Sequence, residues 1–253
     1  MGTQVGASRE RAAALEDGLV LVLAIETSTP QTSVALGTQQ GVLASQLVSW
    51  GVGHSEAVTP AIEHLLALTQ IKPSQVSGVA VGLGPGAFTG LRVGISTARA
   101  LAQVLHVPVV GIGSLDVLAF SVRYTRSRIC AVSDGKRGEV YYAFYRPVPA
   151  GVSRESEYLV GPPERLAADL EALGEETLLV GGGALLYRRA LEEAGTSLEF
   201  ATTSTAFPSA VELLELALPR FIREETSRGE EITPHYVRKS DAEINWSRSG
   251  RVA

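Results

Sequence analysis

Two carboxylates and two runs of glycines are the residues of this 253-residue chain whose types and spacing could do chemistry. Glu26 follows the apolar run at 21–25, and Asp134 follows Ile129-Cys130-Ala131-Val132-Ser133, so each closes an expected strand. Facing each other across a cleft, the pair could hold a hydrated Mg²⁺; standing alone, each would cap N–H groups of its own turn. Gly181-Gly182-Gly183 opens an expected helix, where free N–H groups can bind a phosphate. An ordinary strand-to-helix turn would use the same glycines. Glu26, Asp134, Gly181, Gly182 and Gly183 are therefore the candidate cofactor residues, for ATP or ADP with Mg²⁺ bound weakly; no cofactor is otherwise required. The stretch GLGPGAFTGLRVG at 82–94 asks the same question of a second helix start. It matches neither phosphate fingerprint. Leu91-Arg92 stands where a P-loop has Lys-Ser/Thr, and Thr89 stands where the dinucleotide motif has its third glycine.

Other catalytic chemistry finds no residues, and neither a catalytic group nor a metal site is expected. The histidines are His54, His64, His106 and His235, and no two are four apart, so the spacing of a helical metal site is missing. His54 precedes an expected helix and suits a structural hydrogen bond, while His106 ends a helix, where the dipole favours an imidazolium. No GxSxG elbow surrounds a serine, so Ser55 beside His54 makes no triad. The lone Cys130 excludes an internal disulfide and fits a reducing, cytoplasmic setting. Inside its apolar run it is expected to be unreactive, because burial raises a thiol's pKa. A net charge of −5, with only Lys72, Lys136 and Lys239 as lysines, offers no basic face for binding nucleic acid alone. The aromatic strand YYAFY at 141–145 lacks interleaved cations and reads as a core and cleft wall. With 45% apolar and 19% charged residues the composition is that of a soluble globular protein. No segment approaches the about 20 apolar residues of a membrane span.

The elements that must position these residues fall into two halves with one plan. Residues 19–25, 32–36 and 42–49 read as strands separated by turns at ETSTPQ and GTQQG. A helix follows with Val58, Ile62 and Leu65 on one face, beginning either at Ser55 or at Thr59-Pro60. The strand VSGVAVG, the glycine stretch, a helix to about His106 and the strand VPVVGIG complete the half. From Ile129 the order recurs: ICAVSD, a turn at GKRG, EVYYAFY and an extended piece near 152–159. Then come the helix PPERLAADLEALG, the strand TLLVG, and the helix ALLYRRALEEAG ended by Gly195. Both halves read βββαβα, the α/β plan of a duplicated lobe in the actin-like and sugar-kinase superfamily. A flexible leader is expected over 1–18, one lobe over 19–125 and a second over 126–226. The second lobe takes in a helix with Val211, Leu214 and Leu218, and a mobile tail is expected over 227–253.

One helix face carries a further question. Gly90, Gly94, Ala98 and Ala102 recur at every fourth position and form a ridge without side chains beyond Cβ. Such a ridge lets a neighbour come close, although each helical glycine costs about 1 kcal/mol against alanine. That neighbour is either this protein's own sheet and first helix, or a partner. Phe88 reads as a plug in core or interface. Arg92 suits the dipole of its first turn poorly and is expected to pair with a carboxylate, of this chain or of a partner.

LAIETSTPQTSVAL, HSEAVTPAIEHLL, VGLGPGAFTGLRVGISTARALA, PVVGIGSLDVLA and SDGKRGEVYYAFY resemble, in order and spacing, the TsaB (YeaZ) family over residues 21–145. PHYVRKSDA at 234–242 resembles the family's C-terminal signature, and Glu26 departs from the family's usual Asp. The resemblance implies an actin-like fold and a non-catalytic, cytoplasmic subunit that serves threonylcarbamoylation of the tRNA adenosine next to the anticodon. It implies binding and activation of the catalytic subunit TsaD through the helices at 55–69 and 89–105, with TsaE joining the assembly. It further implies a homodimer through that surface when alone, indirect contact with tRNA and no membrane association. The interface residues on this reading are Val58, Ile62, Leu65, Phe88, Gly90, Arg92, Gly94, Ala98 and Ala102. Gly94→Leu or Ala98→Trp would then leave the lobes folded and abolish association. The alternatives are an ATP-dependent phosphotransferase using Glu26, Asp134 and the glycine triplet, and a metallopeptidase, which the missing histidine pair disfavours.

Overall fold

A computed structural model describes residues 19–49, 53–193 and 197–237. The opening apolar run forms β1 (Val22–Glu26), which pairs antiparallel with β2 (Thr32–Thr38), as β2 does with β3 (Gly41–Val48). Helix α1 (His54–Thr69), β4 (Gly78–Gly82), helix α2 (Phe88–Leu105) and β5 (Val109–Ile112) follow. β4 lies parallel to β1 and to β5, giving the order β3-β2-β1-β4-β5. β1, β2 and β4 are buried along their whole length, which is why they read as continuous runs rather than alternating ones. α1 begins at His54 and carries Pro60 inside it, so the earlier of the two possible starts is the real one.

Helix α3 (Ser114–Ser121) leads to β6 (Arg128–Lys136), β7 (Glu139–Val148), β8 (Gly151–Arg154) and β9 (Leu159–Gly161). Helix α4 (Pro163–Leu173), β10 (Thr177–Val180), the short helices α5 (Gly182–Leu186) and α6 (Arg188–Glu192), β11 (Leu198–Phe200) and α7 (Ala210–Ile222) complete the chain order. The second sheet runs β11-β10-β6-β7-β8, with β9 also on β7. Read from its other edge, β8-β7-β6-β10-β11 repeats the first sheet place for place. The expected βββαβα duplication is present, and the architecture is actin-like. The helix expected over 184–195 is broken at Tyr187, and Gly195 lies outside the described residues.

The trailing helices are exchanged between lobes. α3, expected with residues 19–125, packs Leu115, Leu118 and Ala119 against Ile129, Ala131, Tyr145 and Val180 of the second sheet. α7, expected with residues 126–226, packs Leu213, Leu214 and Ala217 onto Val22, Ala24, Ala35 and Ala80 of the first. The physical reason is coverage. α1 and α2 bury one face of the first sheet, and its opposite apolar face needs a helix that arrives from the far half. Residues 227–237 of the expected tail run against the rest of the chain with Ile232 buried, whereas 1–18 and 238–253 lie outside the described residues.

Candidate functional site

The turn after β1 is where the sequence motifs meet. Glu26 is fully buried; its Oε1 accepts from the Ser28 amide at 2.7 Å and its Oε2 from Ser114 Oγ at 2.9 Å. Ser114 Oγ in turn accepts from the Gly84 amide at 3.1 Å. Burial pushes the Glu26 carboxyl up from the ordinary carboxylate value, while the Ser28 and Ser114 hydrogen bonds pull it down. A Cβ at Gly82 would overlap this carboxylate. Glu26 is therefore an internal clasp joining the turn, the glycine loop and the start of α3. Of the two arrangements open to this pair, Glu26 takes the second: it accepts from the amide of its own turn and does not face Asp134.

The glycines of the loop and of α2 have the same explanation. Thr27 Oγ1 donates to the Gly90 carbonyl at 2.8 Å, and the Ala87 amide donates to the Ser28 carbonyl at 2.7 Å. A Cβ at Gly86 would overlap the Ser28 carbonyl, at Gly90 the Thr27 carbonyl, and at Gly94 the Thr27 hydroxyl. His54 lies against Gly90 and shares a 2.7 Å hydrogen bond between its Nδ1 and Thr32 Oγ1; burial lowers its pKa. The motifs ETS, HSE and GPGAFTGLRVG are thus one packed unit. The neighbour that the ridge admits is this chain's own β1–β2 turn.

That overturns most of the expected interface set. Gly90, Gly94, Ala98 and Ala102 are buried by the chain itself, and Val58, Ile62 and Leu65 belong to the same core. With Ala98 fully buried, Ala98→Trp or Gly94→Leu would damage the fold before it reached any partner. Phe88 and Arg92 do face outward. Within the chain Arg92 lies over the Phe88 ring, 3.9 Å from its centroid, and not on a carboxylate. The exposed large apolar side chains of the two helices are Leu68 of α1 (64% exposed) and Val104 (74%) and Phe88 (40%) of α2. The sequence carried a signal for this: Thr89, Arg92, Ser96, Arg99 and Gln103 recur at three- and four-residue spacing and mark the outward face of α2.

Between the lobes a cavity of about 210 Å³ is lined by Ser28 and Thr29 on one side and Ser133, Asp134, Lys136 and Gly182 on the other. This is below the about 300 Å³ at which small-molecule sites begin. Asp134 accepts from its neighbour Lys136 twice, from the amide at 2.8 Å and from Nζ at 2.6 Å. The Gly182 amide donates to the Ala206 carbonyl at 2.6 Å, so it is not open to a phosphate. A Cβ at Gly181 would overlap the Val132 carbonyl, and one at Gly183 would crowd the Ser133 backbone; both glycines serve packing on β6. The Ser28 and Thr29 hydroxyls are buried without a partner, a fit for small hydrogen-bonding molecules such as water. The residues present do not fit a Mg²⁺-nucleotide, because the two carboxylates do not converge and the helix-start amide is taken. Among the described residues no group of three or more His, Cys, Asp or Glu side chains could hold a metal ion. Among them, too, no helix is long and apolar enough to cross a membrane.

Residues 51–246 match the family model described as TsaD, tRNA N6-adenosine threonylcarbamoyltransferase. The tRNA threonylcarbamoyladenosine biosynthesis protein TsaB of Bacillus subtilis is 30% identical over 233 residues, covering 90% of this chain and 98% of that protein. TsaB of Escherichia coli is 28% identical over 225 residues, covering 87% and 96%. The structure of YeaZ from Pseudomonas aeruginosa superposes with a TM-score of 0.72 at 30% identity, covering 86% of this chain and 99% of that one. Similarity of this extent over nearly whole chains, on one duplicated fold, places the chain in the TsaB (YeaZ) family.

Proposed function

We propose that the protein is a non-catalytic subunit of the machinery that makes threonylcarbamoyladenosine in tRNA, next to the anticodon. In this reading it docks TsaD, with TsaE in the assembly, through the outward faces of α1 and α2 rather than through the glycine ridge. Family membership supports the pathway. The observation that carries the surface is the exposure of Leu68 and Val104 on two adjacent helices. Large apolar side chains held in water on a well-packed scaffold are the usual cores of docking patches. Charge adds direction, since α2 bears Arg92 and Arg99 and no acid, while α1 bears Glu56 and Glu63 and no Lys or Arg. A partner with acidic residues opposite α2 would therefore be preferred. The subunit's contribution is to complete and hold the partner's arrangement, not to supply reacting groups.

The test is co-purification with TsaD, followed by tRNA modification with and without this protein. Leu68→Glu with Val104→Glu should leave the isolated chain folded, abolish co-purification and remove the stimulation of modification. Full association by that double variant would overturn the surface, and modification indifferent to the wild-type protein would overturn the function.

A further inference from the structure

The segment after α7 crosses from one lobe to the other. Ser227 exchanges two 2.9 Å backbone hydrogen bonds with Val109 at the edge of the first sheet. Gly229 then lies on Arg99 and Ala102 of α2, and Ile232 is buried in the first lobe's core, its carbonyl accepting from the Arg99 guanidinium. The His235 amide donates to the Leu83 carbonyl at 2.8 Å, at the mouth of the glycine loop. From there the segment reaches the second lobe. The His235 ring lies 5.4 Å from that of Tyr158, and Val237 packs on the core formed by α3 and the second sheet. Tyr158 is itself held by Asp116 of α3, whose carboxylate accepts from the Tyr158 hydroxyl at 2.7 Å and the Tyr145 hydroxyl at 2.8 Å. Tyr236 turns the other way and meets Phe88 at 5.5 Å.

We propose that residues 227–237 form a strap that sets the angle between the lobes, latched by the ring pairs Tyr158–His235 and Phe88–Tyr236. The first part of the strap is anchored by sheet pairing and a buried isoleucine. The latch is held by two ring contacts at the surface, with Phe88 40% and Tyr236 51% exposed, so it is the part able to release. Each ring pair is worth a factor of about 2 to 13 in an opening equilibrium, so the two together are worth a factor of about 5 to 160. The strap is also hydrogen-bonded to the start of the glycine loop at Leu83, and that loop supplies Ala87 to the lining of the cavity, so release of the strap loosens the loop rather than opening the cavity directly.

The test uses the full chain with spin labels on cysteines replacing exposed Glu63 of α1 and Glu171 of α4, Cys130 being buried out of reach. The variant is His235→Ala with Tyr236→Ala. Its inter-lobe distance distribution should broaden and shift, and amide exchange over 83–87 and 133–136 should quicken about tenfold. Distances and exchange unchanged at those segments, in a variant that has lost protection at 232–236, would overturn the strap. Should the double variant unfold, Tyr236→Ala alone, at an exposed position, carries the same two readouts with a smaller shift and the same refutation.

Discussion

Replacing Gly94 with alanine distinguishes a glycine kept free for a partner from one already packed. On an open face of a helix, Gly→Ala stabilises the isolated protein by about 1 kcal/mol. Here the new methyl would overlap Thr27 Oγ1, which donates to the Gly90 carbonyl at 2.8 Å. Displacing that hydroxyl leaves a buried polar group unsatisfied at about 1–3 kcal/mol, and the crowding adds about 1–3 kcal/mol. After the propensity gain the net loss is about 1–5 kcal/mol, or about 2–20 °C in melting temperature for a chain of this length. The assay is thermal and urea unfolding of the purified protein, followed by circular dichroism. The cause is tested in a Thr27→Ala background, where the nearest atom of residue 27 to the methyl would be its Cβ, at 3.5 Å, so most of the loss should vanish. A Gly94→Ala protein more stable than its parent, or an equal loss in both backgrounds, refutes the packing.

Glu26 should make stability depend on pH in an unusual direction. Its folded carboxyl titrates above the ordinary 4.5 because of burial, so the native state keeps a proton that the unfolded chain has released. This group's contribution is full below pH 4.5 and is lost as pH rises through the folded value. Urea midpoints measured upward from pH 4.5 should fall in the wild type and flatten in Glu26→Gln; parallel profiles would refute the assignment. Cys130 is fully buried and its thiol is pushed up by desolvation, so a thiol reagent should leave it untouched in the native protein and label it in urea. Labelling at equal rates in both would contradict its burial. Leu68→Glu and Val104→Glu should each change unfolding free energy by no more than about 0.5 kcal/mol, since both positions are open to water, while each weakens TsaD binding; a large loss of stability would show that the surface is structural.

Much of the fold was legible because burial leaves a one-dimensional trace. Continuous apolar runs marked β1, β4 and β6. Proline at the start of α4 and left-handed Gly174 at its end marked its limits, and Ser209, whose Oγ accepts from the Val211 amide at 3.1 Å, caps α7. The site was less legible. Glu26 ends β1 whereas Asp134 lies two residues before the end of the equivalent β6, and only Asp134 lines the cavity, because the direction of such a carboxylate depends on which donors surround it. Arg92 found a ring one turn away rather than a carboxylate, a choice that spacing permits but does not dictate.

By itself the sequence determined that two βββαβα halves would form, that α2 would carry a face without side chains, and that no metal-ligand spacing existed. Only the tertiary structure decided what meets each face. It exchanged α3 and α7 between lobes and brought the β1–β2 turn, not a second subunit, onto Gly90 and Gly94. The reason is that a small-residue ridge specifies only how near a neighbour can come. Which neighbour arrives is set by contacts distant in the chain, here between Thr27 and Gly90, and local sequence does not encode them.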